Sequence, residues 1–142
     1  MSKLKIGFKY LLALFYVLAG ANHFLNSGFY LKMMPPYLPL HLELIYLSGL
    51  FEIALGIMVL IPRLTNLAGW GLIALLFAVF PANIQMALHP EVFPEISAIA
   101  LWIRLPLQFL LIAWAYWATR PDPVVNLKAN LEANLQANPR KP

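Results

Sequence analysis

Apolar residues run along this chain in four long stretches, Ile6 to Leu25, Leu42 to Ile61, Leu67 to Leu88 and Ile96 to Ala118. At about 1.5 Å per residue, each stretch wound as a helix is about 30 Å long, the thickness of a hydrocarbon core. Runs such as Leu72-Ile73-Ala74-Leu75-Leu76-Phe77 lack the alternation that a barrel strand needs. The pattern therefore predicts an all-α, integral membrane four-helix bundle, in which each span satisfies its own backbone. Between the first two spans, Asn26 to His41 carries Phe29, Tyr30, Met33, Met34, Pro35, Pro36, Tyr37, Leu38 and Pro39. That segment is too apolar for a solvated loop and too proline-rich for a continuous helix, so it is expected to lie in the interface and cover the helix ends, or to lid a cavity. After Pro121 and Pro123 the chain changes to Asn126-Leu127-Lys128-Ala129, Asn130-Leu131-Glu132-Ala133, Asn134-Leu135-Gln136-Ala137, a four-residue repeat. Leu127, Leu131 and Leu135 fall on one helical stripe, which reads as a weak surface helix or a frayed tail. Residues 1–120 are thus expected to form the spanning domain and residues 121–142 a cytoplasmic tail.

Composition agrees: 61% of the 142 residues are hydrophobic and only 11% charged, against about 25% charged in ordinary soluble domains. No length is left for a separate soluble catalytic domain, so any chemistry must sit in or beside the bilayer. The absence of cysteine excludes disulfides, thiolate ligands and a nucleophilic thiol. The net charge of +4 is carried at span ends rather than on a groove-sized patch, which suits orientation in a membrane and not nucleic-acid binding. Eight basic residues (Lys3, Lys5, Lys9, Arg63, Arg120, Lys128, Arg140 and Lys141) fall on one side of the spans and only Lys32 on the other. The positive-inside rule then places both termini in the cytoplasm. The basic start and the small residues Ala19-Gly20-Ala21 also fit a cleaved signal peptide, the rival reading for the first span.

The remaining basic residue, Arg104, lies within the fourth span, where a charge costs about 2.5 to 3.5 kcal/mol and nearly cancels the gain from that span's apolar residues. Its expected partner is Glu52, about 15 Å deep in the second span against about 12 Å for Arg104. Gly49, Glu52 and Gly56 share a face, which would admit another helix beside the carboxylate. Gln108 shares a face with Arg104, and Pro106 frees the carbonyl of Trp102, the tryptophan placed nearest the site. Tyr16, Gly20 and His23 share a face of the first span, and His23 lies about 3 Å from the outer boundary. In the third span Pro81 frees the carbonyl of Phe77, and either Asn83 or Gln85, about 200° apart, points inward. The ligand-binding candidates are Glu52, Arg104, Gln108, Asn83, His23 and Tyr16, with Glu52 and His23 as the acid–base candidates. The rival explanation is that the polar cluster only pins four helices in register, since interhelical polar contacts average about 0.6 kcal/mol. No phosphate loop, zinc motif or nucleophile turn is present, and His23, His41 and His89 have no ligand spacing.

Gly20-Ala21-Asn22-His23-Phe24, Met34-Pro35-Pro36-Tyr37-Leu38-Pro39, Ser48-Gly49-Leu50-Phe51-Glu52-Ile53-Ala54-Leu55-Gly56, Phe80-Pro81-Ala82-Asn83 and Arg104-Leu105-Pro106-Leu107-Gln108, set in four spans, resemble the DoxX-like family of small bacterial membrane proteins. The resemblance covers about residues 8 to 118 and leaves the asparagine–leucine tail outside it. It implies a multi-pass protein of the bacterial inner membrane in a redox-associated role. Relatives are associated with quinone-linked oxidation of sulfur compounds, or act as membrane partners of thiol-redox and oxidative-stress proteins. Without cysteine, such a role reduces to binding a quinone-like molecule or anchoring a redox partner protein. The combined expectation is an apolar cavity, open outward, that binds a small hydrophobic molecule with a polar head. The rivals are a non-enzymatic membrane anchor and an enzyme acting on a lipid-like substrate through His23 and Glu52.

Overall fold

The structure, a computed structural model, describes residues 2–137. Arg140 and Lys141, counted above among the cations of one side, lie outside the described residues. Those residues form six α-helices and a single 3-10 turn, with no strand among them: α1 Lys3–Leu25, α2 Ser27–Met33, α3 His41–Leu60, α4 Thr65–Leu88, the turn Pro90–Val92, α5 Ala98–Thr119 and α6 Pro123–Ala137. Four of them, α1, α3, α4 and α5, are long and apolar enough to cross a membrane, and they match the four apolar runs to within three residues at each end. The Asn26–His41 connection contributes the short α2 before its prolines stop the helix.

Side-chain chemistry accounts for the helix starts. Ser2 accepts a bond from the Lys5 amide at 3.2 Å, and Ser97 one from the Ala100 amide at 3.2 Å. α3 starts differently. Leu40, after Pro39, takes a left-handed conformation with φ of 54° and leads the chain into α3 without a side-chain cap.

Each long helix packs antiparallel on its neighbours in sequence, and α5 closes the ring on α1. The pairings run in opposite directions: Gly20 meets Gly49 while Gly56 meets Ala13, and Gly71 meets Leu55. Glycine permits the closest of these crossings, because a Cβ on Gly20 would sit 2.5 Å from the Gly49 carbonyl oxygen and 2.9 Å from the Glu52 Cβ. The predicted small-residue face of α3 is thus real, but it receives α1 rather than the arginine-bearing α5.

Two packed regions divide the bundle along its length. Near the α1 start, Leu12, Ala13, Tyr16, Val59, Ala68, Leu72, Ile73, Leu76, Ala115 and Ala118 form the larger core. At the opposite end, Met33, Met86, Phe93 and Leu101 form a smaller one beneath α2. Lys5 is counted above among the basic residues of one side of the spans. It is 4% exposed and donates to Asp122 at 2.7 Å, tying the first turn of α1 to the chain beyond α5. α1 is therefore an integral wall of the bundle, and removal of a signal peptide ending near Gly20 would take that wall away.

Candidate functional site

Between the two cores lies a cavity of about 500 Å³. Its walls are mainly apolar, from α1, α3 and α4, with α2 and the Met34–Leu38 stretch across the end that faces the smaller core. The segment expected to cover the helix ends therefore lids a hollow, with Tyr30, Met33, Met34 and Leu38 forming its underside. Exposed residues Leu47 and Phe51 of α3 and Ala78 of α4 are among the walls, so the hollow extends to the flank of the bundle between those helices.

Polar residues are few and come from five helices: Tyr16 and His23 on α1, Tyr30 on α2, Ser48 and Glu52 on α3, Asn83 on α4 and Arg104 on α5. Five of the six sequence candidates thus line one cavity. Gln108, the sixth, lies in an adjoining smaller hollow with Asn83 and Arg104. Between the two amides of α4, Asn83 faces inward and Gln85 does not reach the cavity. Trp102, expected beside the site, is 52% exposed and not among the walls.

Glu52 does not pair with Arg104. The close crossing of α1 and α3 sets His23 Nε2 at 3.6 Å from Glu52 Oε2, whereas no carboxylate among the described residues comes within 4 Å of Arg104. Equal depth was the wrong criterion, because the glycine contact brings α1 nearer to Glu52 than α5 can come. The ring of His23 is held from its other side, with Nδ1 at 3.0 Å from the Ile45 carbonyl and the Ser48 hydroxyl at 3.2 Å. A carbonyl only accepts, so Nδ1 carries hydrogen and a neutral ring turns a lone pair toward Glu52. At 3.6 Å the two groups face each other in ion-pair range without a hydrogen bond between them. Chemically the pair can hold and hand over one proton beside an apolar hollow, which is the arrangement that acid–base work on a lipid-like molecule needs.

On the opposite wall the amides form a directed chain. Gln108 Nε2 donates to the Leu76 carbonyl, Asn83 Nδ2 donates to Gln108 Oε1 at 2.7 Å, and Arg104 Nη2 donates to Asn83 Oδ1 at 3.5 Å. The terminal carbonyl can only accept, so each amide has one self-consistent orientation. The backbone acceptor is Leu76, one residue before the Phe77 carbonyl expected to be freed by Pro81.

Tyr30 joins lid and site. Its ring lies 4.0 Å from that of His23, and its hydroxyl accepts from Asn22 Nδ2 at 2.9 Å. Burial pushes the hydroxyl above its ordinary pKa; the Asn22 bond opposes the rise, Glu52 adds to it and Arg104 opposes it. Neither Tyr30 nor Ser48 was a candidate from sequence. Ser48 sits one turn before Glu52 on the same face and was within reach of the helical spacing, whereas Tyr30 depends on how α2 docks.

Three buried polar atoms among these residues have no hydrogen-bond partner: Tyr16 OH, Glu52 Oε2 and Arg104 Nε. Unpartnered polar atoms inside an apolar bundle are costly, and here all three belong to side chains that line the same cavity from α1, α3 and α5. Among the described residues, no group of three histidine, aspartate or glutamate side chains is arranged to hold a metal ion.

No curated protein and no solved structure matches the chain. The family model described as Domain of unknown function (DUF8561) matches residues 12–119, a range containing every cavity residue named above and ending before α6. The chain belongs to that family.

Proposed function

We propose that this is a multi-pass protein of the bacterial inner membrane, with both termini cytoplasmic, that binds a small hydrophobic molecule with a polar head in its central cavity. The observation that carries this reading is that Tyr16, Glu52 and Arg104, each with a buried unpartnered polar atom, line the same mainly apolar hollow. Membrane insertion is supported by the four long apolar helices and their exposed leucine, isoleucine and phenylalanine side chains, and the orientation by the one-sided distribution of lysine and arginine. A redox-associated role, with a quinone as the bound molecule, is the form suggested by the resemblance to the DoxX-like family.

The neutral fluorophore N-phenyl-1-naphthylamine tests the cavity directly. It is expected to bind the full chain in non-ionic micelles and to lose most of its binding in Ala78→Trp, which closes the flank between α3 and α4 while leaving insertion unchanged. Equal binding by both proteins overturns the reading. Displacement by decylubiquinone supports the quinone form, and its failure removes that form alone.

A second reading is favoured by α6. Among the described residues it makes no extensive contact with the bundle, and Leu127, Leu131 and Leu135 are 61%, 53% and 65% exposed along one stripe. Such a helix suits a membrane subunit that docks a redox partner protein. Deleting residues 124–142 is then expected to abolish partner association with the bundle intact.

A further inference from the structure

We propose that the molecule bound in the cavity is a single-chain amphiphile with a carboxylate head, seated with the head on Arg104 and the chain among the apolar walls. The inference rests on the cavity being a ligand site, and it takes a carboxylate head, in place of the quinone head suggested by the family resemblance, as what that site selects. Arg104 brings a guanidinium to the cavity from within a membrane-length apolar helix, where its side chain is half-buried. Its one hydrogen bond goes to the neutral Asn83 oxygen at 3.5 Å, and its Nε is buried and unpartnered. The Asn83–Gln108–Leu76 chain orients the guanidinium and supplies no negative charge. Glu52 shares the cavity but has His23 as its neighbour at 3.6 Å. Arg104 is half-buried on the wall of an apolar cavity, and a cation placed there with no carboxylate within 4 Å among the described residues is a site for an anion.

Three further observations narrow the anion. A guanidinium edge matches the two oxygens of a carboxylate, and Tyr16, whose buried hydroxyl has no hydrogen-bond partner, lines the same cavity. A phosphate would add a further negative charge to a cavity that already holds the carboxyl group of Glu52. The volume of about 500 Å³ suits a drug-sized ligand and one acyl chain, not a two-chain lipid.

The test offers dodecanoate, dodecan-1-ol, decylubiquinone and dodecyl phosphate in equimolar competition to the full chain in non-ionic micelles, with bound masses read by native mass spectrometry. Dodecanoate is expected to be retained about tenfold over each competitor, the scale of one charge-assisted hydrogen bond. Arg104→Gln should erase that preference while still retaining dodecan-1-ol, which also shows that the variant is folded. Arg104→Lys, with charge but no fork, should keep part of it. Equal retention of dodecanoate and a neutral competitor, preference for the phosphate, or an unchanged preference in Arg104→Gln each overturns the carboxylate assignment and leaves the ligand-binding reading standing. Retention of none of the four overturns both.

Discussion

Arg104, Asn83 and Gln108 show how individual side chains are committed in an apolar setting. Each amide in the chain has both ends assigned, because the series terminates on a backbone carbonyl that can only accept. Gln108→Leu removes two of these bonds at once. At about 0.6 kcal/mol for an average interhelical hydrogen bond in a bilayer protein, the loss should be about 1 kcal/mol of stability, measured by unfolding in mixed micelles. Asn83→Leu in that background should then cost less than it does alone, since its bond to Gln108 has already gone. Strict additivity of the two substitutions would show that the amides act independently. That Arg104 needed interior partners was legible from hydropathy alone. Which partners it takes was not, because depth along a helix says nothing about rotation or lateral distance.

Among the elements, the crossing of α1 and α3 decides the chemistry. Spacing along α3 showed that Gly49, Glu52 and Gly56 share a face, and spacing along α1 showed the same for Tyr16, Gly20 and His23. The two faces meet, and backbone lies against backbone at Gly20 and Gly49. Gly20→Ala places a methyl against the Gly49 carbonyl, which cannot rotate away, so the helices must separate. Overpacking of this kind costs about 1–3 kcal/mol and should also draw His23 away from Glu52. Gly7→Ala is the matched control, since a Cβ there meets nothing within 4 Å and alanine is the better helix former. Thermal midpoints in micelles should fall for the first and hold or rise for the second. A similar fall in both would trace the effect to helix propensity rather than to the crossing. The helical boundaries themselves were readable to within three residues, because a long apolar run in a chain of this composition has few other solutions.

Across the whole molecule, the cavity exists because the two packed regions do not meet, and the α1 end is closed by the Lys5–Asp122 bond. The hydrogen bond from Lys5 holds the Asp122 carboxyl below its ordinary pKa. A carboxyl lowered in the folded state adds stability that is fully present above its unfolded value and is lost as pH falls through the folded one. Melting temperature should therefore decline with acidification below the usual aspartate range, and Asp122→Asn should flatten that part of the profile. An unchanged acid slope in the variant would assign the slope to other carboxyls. Asp122 is a quarter exposed on its side chain, so the change is expected to be small.

Local physics was enough to determine four long apolar helices, a proline-broken cover between the first two, and a short set of polar residues that cannot face lipid. These follow from composition and helical period, which act along one segment at a time. Tertiary structure alone decided that His23, not Arg104, stands beside Glu52, that Asn83 faces inward, that Tyr30 lies over the histidine, and that Lys5 is buried. Each of those outcomes depends on how closely two separate helices approach and how each is turned about its axis. Such distances are set by the fit of side chains across an interface, and one-dimensional spacing does not contain them.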